Sequence, residues 1–112
     1  MHKCLSDTSG VMGQSFCLSN AVDDWSKELI EYDKLIIAKL TGQLKLDYIQ
    51  SQNKWQLYSD SEVALAEQLE KKYYEDNPQI LLYPQIATER ELNIIKTRTL
   101  ELVEYYNLIS NK

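Results

Sequence analysis

Histidine is nearly absent from this chain, and the shortage removes more chemistry than any other feature of its composition. His2 is the only histidine among 112 residues. Activating a serine or cysteine nucleophile ordinarily takes a histidine base, and a di-iron site inside a helical bundle takes Glu-x-x-His pairs. Neither can be assembled from one His beside the terminus. Cys4 and Cys17 are the only cysteines, which with His2 gives no zinc-type spacing. Three glycines and two prolines are too few for the turns of an all-β fold, and Gly10 and Gly13 lack the spacing and lysine of a phosphate-binding loop. No apolar run is long enough to span a bilayer. Basic residues are outnumbered, twelve Lys and Arg against seventeen Asp and Glu, for a formal charge of −5. That balance opposes the phosphate neutralisation on which nucleic-acid binding rests and favours a basic protein as partner. None of these residues calls for a cofactor or a metal.

The residues that remain describe a small acidic helical domain. Apolar residues at 44% and charged residues at 26% are close to globular averages, and a chain of this length hides ~65% of its unfolded surface in one core. Leu18, Val22, Trp25, Leu29, Tyr32 and Ile36 recur at alternating steps of four and three, the stripe of a packed helix. Asp23, Asp24, Lys27, Glu31 and Lys34 fill the other side, and Thr41-Gly42 is a stop signal, so the first helix is expected at about 10–41. A second stripe runs through Leu44, Tyr48, Trp55, Tyr58, Leu65, Leu69 and Tyr73. Ser59 and Glu62 could form a capping box within it, but the apolar phase continues across them and favours one helix over about 43–75. Pro78 ends it by pushing the preceding residue from helical angles. Thr88 and Glu91 form a capping box ahead of Leu92, Ile95, Thr99, Leu102, Tyr106 and Ile109, giving a third helix over about 86–110. Residues 78–87, with Ile80, Leu82, Tyr83 and Ile86, read as a short irregular or kinked segment packed on the helices. The whole, residues 1–112, is expected to be one all-α domain, an elongated antiparallel three-helix bundle whose thirty-residue helices would each be ~45 Å long.

Paired carboxylates at Asp23-Asp24, Glu28-Glu31 and Glu89-Glu91 could in principle share acid and base roles; solvated helix faces are the simpler reading, and no catalytic residue is assigned. Trp25, Tyr32, Trp55, Tyr58, Tyr73 and Tyr106 lie on the stripes and are read as core, whereas Tyr74, Tyr83 and Tyr105 fall off them and suit a protein interface. A helix running unbroken from Cys4 to Cys17 would hold their Cα atoms ~20 Å apart, beyond the ~7 Å limit for a disulfide. A bridge therefore requires the chain to double back through the turn-rich Ser6-Asp7-Thr8-Ser9-Gly10. Two reduced thiols remain the alternative.

Order and spacing then point to a family. Cys4, Cys17, the segment Trp25-Ser26-Lys27-Glu28-Leu29-Ile30-Glu31-Tyr32 and the segment Ser51-Gln52-Asn53-Lys54-Trp55-Gln56-Leu57-Tyr58-Ser59-Asp60 together resemble the LprI-like family of bacterial envelope proteins. The matching positions are Cys4, Cys17, Trp25, Glu28, Leu29, Gln52, Trp55, Tyr58 and Asp60, and they cover roughly the first half of the chain. Ser26, Ile30 and Asp33 stand where the family favours Asp, Asn and Tyr, Ser59 stands where it favours Arg, and a second cysteine pair is missing. The resemblance implies a non-enzymatic protein, periplasmic or secreted, its signal segment removed ahead of Met1. It implies that Cys4 and Cys17 are bridged and that the two helix motifs serve the fold. Because the name-giving member inhibits lysozyme, it also implies a lysozyme or another basic cell-wall-active protein as partner. The competing expectation is a cytosolic helical interaction module, of adaptor or immunity type, with both thiols reduced.

Overall fold

The structure is a computed structural model that describes residues 11–79 and 85–110, with only the backbone described for 11–16. Three helices account for almost all of it: α1 over Val11–Lys39, α2 over Gly42–Asp76 and α3 over Ile86–Ser110. Among the described residues there is no strand, and no helix is long and apolar enough to cross a membrane. Cys4, His2 and the segment containing Ile80, Leu82 and Tyr83 lie outside the described residues.

Local signals set the ends of each helix. Thr41, in an extended conformation, precedes α2 without lending its side chain as a cap, and Gly42 adopts φ +63°. That angle is why glycine stands at this turn, since a side chain there would meet the left-handed penalty of ~1–2 kcal/mol even though nothing lies within 4 Å of where its Cβ would be. Helix α2 runs through Ser59-Asp60-Ser61-Glu62 without interruption. Asn77 closes it, its backbone N–H donating to the Tyr74 carbonyl at 3.3 Å and its side-chain amide to the Tyr73 carbonyl at 2.9 Å. Helix α3 starts two residues before the Thr88-Glu91 capping box, because the Gln85 carbonyl already accepts the Glu89 N–H at 2.8 Å and so opens the helical ladder.

Side-chain register fixes how the helices lie. Thr99 reaches the Trp25 carbonyl, and the Tyr106 ring meets Tyr32 edge to face at 5.9 Å; equivalent heights on α1 and α3 thus differ by a constant 74 positions, and the two run parallel. Gln52 pairs with Arg98, Glu62 with Arg90 and Glu70 with the Ala87 N–H, so α2 and α3 run antiparallel. The bundle measures 56 × 30 × 15 Å. With interaxial spacings of ~8–10 Å, a lateral section twice as wide as thick means that three helices lie nearly side by side, α3 between the others. Helices α1 and α2 meet mainly near their connection, where the Tyr48 hydroxyl donates to Asp33 Oδ1 at 2.7 Å.

This arrangement corrects the expected inner face of α2. Tyr58, Leu65 and Leu69, placed by periodicity on the core stripe, are 49%, 51% and 55% exposed. The buried positions of α2 are Tyr48, Ser59 and Ala66, on a row one step away in phase. The reason is polar: Gln52, Glu62 and Glu70 on that row are held by donors from α3, so α2 docks through hydrogen bonds and small side chains rather than through its leucines. On α1 the expected stripe does point inward, with Leu18 and Ile36 buried and Ala21 and Leu40 beside it. The tightest cluster joins Ile36, Leu40, Tyr48 and Leu102, flanked by Leu29, Tyr32, Ile37, Ile49, Tyr106 and Ile109, and Leu102 at its centre has no exposed surface.

Burial first, and then the hydrogen bond to Asp33, push the Tyr48 phenol well above its ordinary range. A raised folded-state value leaves the Tyr48 contribution intact below the ordinary tyrosine value of ~10 and removes it as pH climbs above that. Stability measured by denaturant should accordingly fall more steeply above about pH 10 in the native protein than in Tyr48→Phe. The substitution itself should lower stability by ~1–2 kcal/mol at neutral pH. Equal alkaline slopes for the two proteins would show that the phenol is not held in this way.

Candidate functional site

Because α3 separates α1 from α2, the two outer helices leave a groove between them with α3 as its floor. It has a volume of about 400 Å³ and is lined on α1 by Ser26, Leu29 and Ile30 and on α3 by Glu91 and Ile95. Helix α2 supplies two adjacent rows at four-residue spacing, Trp55-Ser59-Val63-Glu67 and Gln56-Asp60-Ala64. The floor is therefore apolar, with Leu29, Val63, Ile95 and the half-buried Trp55 ring, while Asp60, Glu67 and Glu91 are its only charged groups. No lysine or arginine lines it. The ion pairs among the described residues lie elsewhere, at Lys72–Asp76, Arg90–Glu62 and Arg98–Glu101, so none of these three carboxylates has a cationic partner there.

Trp55 also borders a second depression, lined with Tyr58, Arg90, Asn93, Ile94, Thr97, Arg98 and Glu101. Its chemistry is the reverse of the first. Arg90 donates to Glu62 at 2.6 Å and to the Tyr58 hydroxyl at 2.9 Å, and the hydrogen bond to Glu62 is the main cause that raises its pKa. Arg98 is almost fully buried, donating to Gln52 at 2.7 Å and to Ser51 and Glu101 at 3.1 Å each, with its guanidinium 5.7 Å from the Tyr105 ring centre. Both guanidinium groups are thus answered by acceptors within the protein. This second depression is a clasp between α2 and α3, and the first groove is the one with unanswered charge.

The positions singled out in the sequence divide between these places. Trp55, Asp60 and Leu29 line the acidic groove, with the Gln56 amide donating to Asp60 at 2.9 Å. Gln52 and Tyr58 sit on the clasp, each accepting a hydrogen bond from an α3 arginine. Trp25 lies at the α1–α3 contact with Lys96 5.7 Å from its ring centre, and Glu28 points into solvent. Cys17 is buried, while Cys4 lies outside the described residues. Of the carboxylate pairs, Asp23, Asp24 and Glu89 are exposed and only Glu91 reaches the groove. Glu67 carried no signal of its own in the sequence, and Ser59 and Glu91 stood out only as capping or paired-carboxylate residues; an i, i+4 row read out from Trp55 would have found Ser59 and Glu67.

Among the described residues no three His, Cys, Asp or Glu side chains converge to hold a metal. Ser59 forms no hydrogen bond to a base there, as activation of a nucleophile would require. Asp60 and Glu67 are exposed to solvent and Glu91 is half-buried. The groove presents an aromatic face, an apolar floor and negative charge. No protein-family model, curated protein or solved structure matches the chain.

Trp55 is therefore better described as a groove wall than as the centre of the core. Trp55→Ala should lower unfolding free energy by ~1–2 kcal/mol, the scale of a half-buried aromatic, whereas Leu102→Ala should cost ~3 kcal/mol or more. Urea titrations of both variants would read the difference, and a larger loss for Trp55→Ala than for Leu102→Ala would return the indole to the core.

Proposed function

We propose that this protein is a non-enzymatic, exported binding protein similar to the LprI-type lysozyme inhibitors, and that its partner is a basic protein acting on the cell wall. The observation that carries this reading is the groove in which Asp60, Glu67 and Glu91 stand around Trp55 without a single cation. Two of its residues, Trp55 and Asp60, belong to the helix motif on which the family resemblance rests. The formal charge of −5 acts in the same direction, since opposite net charges steer two proteins together and raise their association rate. Export supplies an oxidising compartment, and the proposal includes a Cys4–Cys17 bridge that would tie the chain ahead of α1 to the buried Cys17.

Titrating the oxidised full chain into a c-type lysozyme while following lysis of a cell-wall suspension tests this reading. Lysis should slow at micromolar excess, with calorimetric binding that weakens as salt is raised. The same preparation, denatured without reductant, should expose no free thiol. Unchanged lysis together with no heat of binding would overturn the lysozyme reading, and two titratable thiols would move the protein toward the cytosolic interaction module instead.

A further inference from the structure

We infer that the acidic groove is a receptor for an arginine side chain of the protein partner, its stem lying along Trp55 and its guanidinium held by Ser59, Asp60 and Glu91. This inference rests on the proposed function only in taking the occupant from a protein; the site itself is argued from its own residues.

Ser59 is the independent observation. It is only 6% exposed, lines the groove, and its hydroxyl makes no hydrogen bond to any of the described residues. No fully buried side-chain oxygen or nitrogen among the described residues lacks a partner, so the Ser59 hydroxyl, which has none, is an oxygen that the groove leaves open while the rest of the residue is covered. A hydroxyl has one donor and two acceptor lone pairs, and beside Asp60 and Glu91, which can only accept when ionised, the group that complements all three is a donor arriving from the groove. The second observation is charge. The pairings of Glu62 with Arg90 and Gln52 with Arg98 fix the register of α2 against α3 and bring Glu91 level with Ser59 and Asp60. Two carboxylates thus border one recess with no cation between them, a like-charge arrangement that an incoming cation relieves.

Arginine suits the recess better than lysine. Its planar fork presents five N–H donors, enough to reach both carboxylates and the Ser59 hydroxyl together, and its plane stacks on an indole face. Trp55 stands one helical turn before Ser59 on the same row, which places the ring beside the stem when the head is at Ser59. A lysine ammonium is more strongly hydrated and satisfies these acceptors only as a point charge. Glu67, two turns beyond Ser59, is left for a second cationic residue of the partner.

The test uses the oxidised full chain, labelled for NMR, and three blocked tripeptides in which glycine flanks arginine, lysine or citrulline. The arginine peptide should shift the Trp55 indole N–H and the Ser59 amide saturably; lysine should bind several-fold more weakly, and the uncharged citrulline should produce no saturable shift. Asp60→Asn combined with Glu91→Gln should weaken arginine binding by about tenfold or more, the value of one charge-assisted hydrogen bond. Glu31→Gln combined with Glu104→Gln, which changes net charge equally at exposed positions outside the groove, should alter it by no more than about twofold. Ser59→Ala should weaken it while leaving the melting temperature unchanged or higher, as expected of a residue kept for binding. Equal loss in both charge-neutralised pairs, or shifts centred away from Trp55 and Ser59, would overturn the inference. If the arginine peptide binds here but lysozyme goes on lysing, the site stands and the proposed partner falls; if lysozyme is inhibited and the peptide leaves Trp55 untouched, the site falls alone.

Discussion

Helix α3 has to bury two faces of different chemistry, and that requirement determines the rest of the structure. Toward α1 it presents Thr99, which reaches the Trp25 carbonyl, and Leu102, which packs with Ile36 and its neighbours. Toward α2 it presents Arg90 and Arg98, whose guanidinium groups are matched by Glu62, Gln52 and Ser51. A helix buried over so wide an arc cannot lie as a lid over two others; it has to stand between them. Removing the Arg98 guanidinium would leave the half-buried Gln52 carbonyl without its donor, at a cost of ~1 kcal/mol or more, while the exposed Ser51 hydroxyl would turn to water. The clasp thus specifies register as much as strength.

A groove follows from that placement without further design. Once α3 holds α1 and α2 apart, the α2 flank that would have packed on α1 in a closed bundle is left lining a cleft. Its residues tell the two possibilities apart. A flank meant for another helix would be apolar throughout, whereas this one alternates Trp55, Ser59, Val63 and Glu67 on one row with Gln56, Asp60 and Ala64 on the next. Negative charge gathered there costs little while water reaches it, and becomes useful when a cation displaces that water. Structure and binding make opposite demands on the arginines too: those within the chain are consumed by the clasp, so positive charge for the groove has to come from outside.

Much of the architecture was legible in the sequence, because helix formation depends on periodicity and on stop signals that are local. The stripes of α1 and α3, the break at Gly42 and the end before Pro78 could all be read directly. The facing of α2 could not. Periodicity assigns the apolar side inward, yet Leu65 and Leu69 are exposed and Gln52, Ser59 and Ala66 face α3, since the energy of that contact lies in hydrogen bonds from residues some thirty to fifty positions away. The groove was hidden for the same reason: Glu91 joins Asp60 and Ser59 only through the register of α3 on α2. Trp55 and Asp60 were visible as motif residues, but whether a tryptophan on a stripe is core or cleft wall depends on how far apart two helices stand.

The separation of α1 and α2 is accordingly the quantity to measure. Spin labels placed at exposed, level positions on the two helices, one pair near the connection at Lys34 and Asp47 and one pair beside the groove at Lys27 and Lys54, would report it by dipolar spectroscopy on the intact chain. The open arrangement predicts a short distance for the first pair and a distinctly longer, single and narrow distance for the second. Similar short distances for both pairs would mean that α1 and α2 pack together along their length, leaving no groove for a partner to enter.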